Sequence, residues 1–236
     1  MHLSLHLFGR TSRKASTFDF SLLDYKSMEA SSGRGFPLLH HLLIALPMYG
    51  LYAAFYFTAQ AFPQAPISLV PHTEWDHQIA LDVSWIWIYL IAYAYVPIVF
   101  LFLKQKKIVY LYAFSYLIIS IISVTVFMFY PTTLPRESFP TDTSFAGLAL
   151  EWLRGLDQPT NCLPSLHVAT AWQSSWWLYQ EKKWPGVLGF IFSALVVWST
   201  LAVKQHVVWD AITGSAVAFI AIALSYPIGK FVFSRT

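Results

Sequence analysis

Residues 104–130 read KQKKIVYLYAFSYLIISIISVTVFMFY: Lys104, Lys106 and Lys107, then an apolar run with no charged side chain from Ile108 to Tyr130. An α-helix needs about 20 mostly apolar residues to cross the hydrocarbon of a bilayer, and flanking lysines mark where such a crossing begins. The same pattern recurs on both sides of this stretch. It predicts spans near 38–62, 85–103, 108–130, 163–179, 187–203 and 207–231, with Lys182, Lys183, Pro185 and Gly186 dividing the fourth from the fifth. Only 11% of the 236 residues are charged and 56% are hydrophobic, whereas an ordinary soluble domain is about a quarter charged. A soluble globular fold is therefore excluded, and so much apolar surface also excludes disorder. The expected fold is an all-α integral membrane protein, a six-transmembrane helix bundle over residues 37–233. A polar segment, 1–36, precedes it, without an apolar run of signal-peptide type and with a short interfacial helix expected around Phe18–Tyr25. A net charge of +3 implies no nucleic-acid partner. The single Cys162 permits neither an internal disulfide nor a cysteine-rich metal site.

Basic residues orient the bundle. With both termini on one side, that side holds all but three of the fifteen lysines and arginines, so both termini are expected to be cytoplasmic. The exceptions are Arg136, Arg154 and Lys204. Arg136 and Lys204 lie beside histidine-bearing segments at the opposite face, where positive charge runs against the rule and points to a local role.

Three segments end at that opposite face: 130–136 leaving the third span, 161–167 entering the fourth, and 199–210 turning from the fifth into the sixth. His206 and Asp210 are four residues apart and share a helix face. A carboxylate on one ring nitrogen fixes the tautomer and leaves the other as a nucleophile or base. Asp210 also sits in an apolar run, where an ionisable group is expensive and is by default functional; the bland alternative is a buried structural pair. Pro164 suits the first turn of a helix, whose free N–H groups attract anions. Ser165 adds a hydroxyl and His167 a proton donor, against the plainer reading of a capping serine and an interfacial histidine. Arg136 and Lys204 supply cations suited to phosphoryl oxygens, and snorkelling toward lipid headgroups is the alternative for each.

Pro164-Ser165-Leu166-His167 resembles the second signature, Pro-Ser-x-His, of the type 2 phosphatidic acid phosphatase superfamily. His206-x-x-x-Asp210 resembles the end of its third signature, with Ser199 at the expected serine. The chain departs from the first signature: Phe129 stands at the lysine position and Glu137 follows Arg136 where proline belongs. Thr200 replaces the arginine of the third signature. In style, Tyr130-Pro131-Thr132-Thr133-x-Pro135, Pro-Ser-Leu-His and Gln205-His206-x-x-x-Asp210 are most similar to the inositol-phosphorylceramide-synthase branch. The resemblance implies His206 as the nucleophile that forms a phosphohistidine, Asp210 as the group that orients it and His167 as general acid and base. It places Ser165 on the substrate phosphate and implies no metal and no cofactor; Arg136 is the phosphate-binding cation that remains of the signatures, and Lys204, two positions from His206, is expected to substitute for the missing arginine.

The expected function is a lipid phosphate phosphatase acting on a phosphomonoester or pyrophosphate lipid. The alternatives are a phosphotransferase moving a phosphorylated headgroup to a lipid alcohol, and a non-catalytic lipid transporter or binding protein. The partners are the membrane lipid phosphate and the bilayer; the expected location is a bacterial inner membrane, with the site facing the periplasm. Other features read more plainly. His72, Glu74, Asp76 and His77 are metal-ligand types in what reads as a solvated loop. His40 and His41 read as interfacial, and Glu151 and Arg154 as an i,i+3 pair in an amphipathic segment, 144–155, framing the substrate entrance. Trp85, Trp87, Trp176, Trp177 and Trp184 read as an aromatic belt.

Overall fold

The computed structural model describes residues 36–136 and 144–233. The segment around Phe18–Tyr25 and Glu137 lie outside the described residues. Among the described residues, eight α-helices carry the fold. The long ones are α1 (Leu38–Ala61), α3 (Ile86–Phe102), α4 (Lys106–Phe129), α6 (Leu166–Glu181), α7 (Lys183–Ala202) and α8 (Val208–Phe233). Two shorter helices, α2 (Glu74–Gln78) and α5 (Phe145–Leu156), lie in the connections. Every expected span is helical, and α1, Val83–Phe102, α4, α7 and α8 are long and apolar enough to cross a bilayer. The chain is a multi-pass membrane protein. Its outer faces match that solvent, with Ile91, Ile98, Ile121, Ile191 and Ile220 all exposed.

α6 differs, and for a physical reason. It has only 16 residues, a rise of about 24 Å, and it carries Gln173, Ser174 and Ser175 fully buried. It packs against α3, α4, α7 and α8, so its polar side chains meet partners rather than lipid. Gln173 Nε2 donates to the Tyr112 carbonyl and to Ser115 Oγ, both at 2.9 Å. Ser174 bonds the Tyr112 hydroxyl at 3.0 Å, and Ser175 bonds both Tyr95 and Ser193 at 2.7 Å. Interhelical bonds of this kind are worth about 0.6 kcal/mol each inside membranes, enough to fix helix register. Trp177 belongs to this network and not to an aromatic belt: it is buried and its Nε1 donates to Ser115 Oγ at 2.8 Å. His41, expected at the interface, is buried too, with Nε2 at 2.7 Å from the Leu103 carbonyl, which joins α1 to the end of α3.

The connections 63–84 and 130–136 are joined as well. Strand β1 (Ser68–Leu69) pairs in parallel with β2 (Thr132–Thr133), Ser68 opposite Thr132. In the 72–77 stretch, expected as a solvated loop, Glu74–Gln78 form the short helix α2, tied to the bundle through Asp76 while His72, Glu74 and His77 stay exposed. Asp76 Oδ2 accepts from the backbone N–H and hydroxyl of Thr73, and Oδ1 accepts from Val208 N–H at 2.8 Å, the first residue of α8. Burial pushes the Asp76 carboxyl up, but these hydrogen bonds outweigh it and hold the group below the ordinary carboxylate range. A carboxylate there satisfies an orphan N–H and meets the positive end of the α8 dipole.

Candidate active site

The three outer segments are bonded to one another. Leu163 N–H donates to Thr132 Oγ1 at 3.2 Å, joining the second segment to the first. Ser165 N–H donates to the Asp210 carbonyl at 3.0 Å, joining it to the third. Arg136 Nη2 donates to Gln205 Oε1 at 3.0 Å and Nη1 to the Arg154 carbonyl at 2.9 Å, closing the ring of contacts.

Two close approaches make this possible. Gly214, one turn beyond Asp210, lies so near α6 that a Cβ there would collide with the Ser165 carbonyl and crowd Val168 Cβ at 3.2 Å. Only glycine lets α8 come this close. At the other end of the segment, Lys204 takes φ 55 after α7, the left-handed position that commonly ends a helix and is usually glycine. The Thr200 carbonyl then accepts from both Gln205 and His206 N–H at 3.1 Å, which turns the chain back toward α8. Thr200 itself is fully buried, its hydroxyl bonded to the Val197 carbonyl at 2.8 Å.

His206 Nδ1 lies 3.1 Å from Asp210 Oδ2, and both residues are buried. The same oxygen accepts from Val207 N–H at 3.1 Å, so the carboxylate is fixed from two sides. Nδ1 is thereby committed and Nε2 is left for chemistry. The His167 ring is 5.9 Å from the His206 ring, centroid to centroid. It is held between Tyr89, at 4.4 Å, and Tyr93, edge-on at 4.7 Å, with Nδ1 3.4 Å from the Tyr89 hydroxyl. Among the described residues, His167 Nε2, Ser165 Oγ, Gln205 Nε2 and Asp210 Oδ1 are buried without a hydrogen-bond partner. Four such atoms so close in the chain and fold are costly unless a ligand completes them. Ser165 precedes the first residue of α6, and its hydroxyl does not cap the helix. Pro164 lies outside the helix, not in its first turn.

His206 and His167 line a cavity of about 650 Å³ together with Arg136 and Gln205. Tyr52, Tyr56 and Phe57 of α1, Leu90 and Tyr93 of α3, and Trp152 and Leu156 of α5 form its apolar wall. The expected amphipathic segment is thus α5, and it does border the cavity. Lys204 is not on this cavity: its Nζ donates to the Asp76 carbonyl at 2.8 Å, on the other side of His206. The residue that sequence reasoning missed is Asp157, just after α5 and on the cavity wall. Burial raises its carboxyl above the usual range, against the pull of Arg136, His206 and the Tyr56 hydroxyl at 3.5 Å. Nothing local marked it except its place shortly before Asn161. Gln205 was visible only as the neighbour of His206. Among the described residues no cluster of three or more histidine, cysteine or acidic side chains is arranged to hold a metal ion.

Neither the curated proteins nor the solved structures compared with the chain give a match. The sequence profile of the PAP2 superfamily matches residues 64–224, more than half of the chain and all three converging segments. With a histidine–aspartate pair and a second histidine meeting where that profile runs, the chain belongs to the PAP2 superfamily of phosphatases and phosphotransferases.

Proposed function

We propose that this protein is a lipid phosphate phosphatase of the cell membrane, working through a phosphohistidine on His206. The observation that carries the reading is the His206–Asp210 pair at 3.1 Å on the wall of an apolar cavity shared with His167. His206 Nε2 attacks phosphorus and forms the P–N bond as the P–O bond to the lipid alcohol breaks; His167 gives that oxygen its proton. Water then attacks phosphorus, His167 takes back a proton, the P–N bond breaks and inorganic phosphate is released. Asp210 stabilises the imidazolium character that develops on His206, as a carboxylate does in other histidine-centred sites. Arg136 and the Ser165 hydroxyl meet the equatorial oxygens, and preorganised donors of this sort are usually the largest catalytic contribution. In this reading α6 is the fourth of six crossings, both termini are cytoplasmic and the site opens to the periplasmic face of a bacterial inner membrane.

Transfer to a lipid alcohol is the second reading, favoured by one feature: a cavity of about 650 Å³ with apolar walls has room for part of an acceptor lipid. Phosphatidate in detergent, with water as the sole acceptor, separates the two. Phosphate release with an acid-labile phosphoenzyme is the expected result; no release until a lipid alcohol is added assigns the transferase. His206→Ala should abolish the phosphoenzyme. His167→Ala should keep more of its rate on a nitrophenyl phosphate than on an alkyl phosphate, because the better leaving group needs no proton. A phosphoenzyme that persists in His206→Ala and disappears in His167→Ala would reverse the two roles.

A further inference from the structure

A second, smaller cavity of about 90 Å³ opens on the other side of His206. Among the described residues, His206 is the only one that lines both cavities. The large cavity is lined mostly by aromatic and aliphatic side chains, with Arg136, Asp157 and Gln205 among them. The small one sets His72, Asp76, His77, Lys204 and His206 against Ile79, Leu134, Pro135, Leu201 and Val207, with His72 and His77 exposed. We propose that the small cavity is a binding site for inorganic phosphate, the port by which the product leaves. The proposal rests on the phosphatase reading above.

The residues fit that ligand. A volume of about 90 Å³ holds one small polyatomic anion and excludes a lipid, given roughly 30 Å³ for each water in the liquid. Lys204 keeps a left-handed backbone at φ 55, a conformation that residues other than glycine adopt only at a cost. The strain is retained together with a side chain whose ammonium uses one hydrogen on the Asp76 carbonyl and has two more to give. His72 Nδ1 donates to the Val70 carbonyl at 3.1 Å, so its Nε2 donates to an anion only when the ring is the imidazolium. The His72 and His77 rings stack at 5.8 Å and 23°, a parallel arrangement unlike two ligands converging on a metal. Asp76 faces the same cavity, but both its oxygens are engaged by Thr73 and Val208. Its charge offsets that of Lys204, so the anion is held weakly, as a product that must leave should be. Once the P–N bond breaks, phosphate lies against the His206 ring, where this polar port begins, while the other side is occupied by the lipid alcohol or its apolar cavity.

The test titrates inorganic phosphate into the full chain in phosphate-free nonionic detergent and follows ³¹P line broadening, a measurement that needs no turnover. We expect a Kd on the order of 1 mM, weakened at least tenfold by His72→Ala/His77→Ala and by Lys204→Gly; glycine at 204 relieves the backbone, so loss of folding does not confound the second variant. A non-hydrolysable phosphatidate phosphonate should leave phosphate binding at the port in place. Absence of phosphate binding, binding unaltered in both variants, or one-for-one displacement by the phosphonate would each overturn the port, the last placing phosphate in the lipid cavity. Failure of the phosphatase reading shows separately, as no phosphate release from phosphatidate by the unmodified chain.

Discussion

Arg136 and Asp157 set the charge of the lipid cavity between them. Arg136 is the cation on its wall, braced by the Arg154 carbonyl and Gln205. With Phe129 and Thr200 at two positions where the family signatures carry cations, more of the phosphoryl charge falls to it. Arg136→Ala should lower kcat/KM about a hundredfold, the scale seen when one preorganised oxyanion donor is removed, with Tm measured alongside to separate loss of the fold. Asp157 works in the opposite sense. Its folded-state pKa is raised chiefly by burial, so it gains charge at a higher pH than an exposed aspartate, near 3.9. As pH rises through that titration a negative charge appears beside the substrate anion, and KM should rise with it. Asp157→Asn should remove that part of the rise and lower KM at neutral pH by up to about fivefold, a Coulomb energy of roughly 1 kcal/mol. Superimposable KM–pH profiles for the two enzymes would exclude Asp157 from substrate recognition.

At the scale of elements, the decisive contact is α8 against the start of α6. His206 just precedes α8 and Asp210 lies in its first turn, Ser165 just precedes α6 and His167 lies in its first turn, and Gly214 is the residue that lets them meet. Gly214→Ala must push α8 away from the Ser165 carbonyl, weakening the Ser165–Asp210 backbone bond and moving the two histidines apart. A displacement of about 1 Å can cost a hundredfold in rate, so turnover should fall by that order. The helix itself gains from alanine, which makes retained activity with raised Tm the outcome that would show the approach to be incidental. Asp76 is the corresponding support from the outer loop, since it caps α8 at Val208. Asp76→Ala should cost about 1 kcal/mol of stability, as loss of a helix cap usually does.

For the whole molecule, the proposed orientation, drawn from the distribution of basic residues, puts the 63–84 connection outside and the 104–107 loop inside. Cys162 is a poor reporter of this: it is buried, and burial with the neighbouring Asp210 and Asp157 charges pushes its thiol up to about 12. In a Cys162→Ala background, Glu74→Cys on exposed α2 should label with an impermeant maleimide in intact spheroplasts, and Lys106→Cys only after lysis. The reverse pattern would invert the bundle. The helices, their approximate ends and the membrane as solvent were legible from composition and apolar runs alone, because burial in lipid is a local property of each segment. The histidines and Asp210 were legible too, since an i,i+4 pair and an ionisable group in an apolar run are also local signals. Other features depended on distant residues meeting. Trp177 looks like a belt residue until Ser115 is found beside it. Lys204, two residues from His206, is turned by its backbone toward the Asp76 carbonyl, a contact that no single segment shows. Asp157 carries no motif and acquires meaning only as part of a wall built by α1, α3 and α5. The sequence by itself determined what solvent surrounds each helix and which residue types can move a phosphoryl group. Only the tertiary structure decided which of them share a cavity, because that rests on helix packing distances, such as the one Gly214 permits, that no single segment encodes.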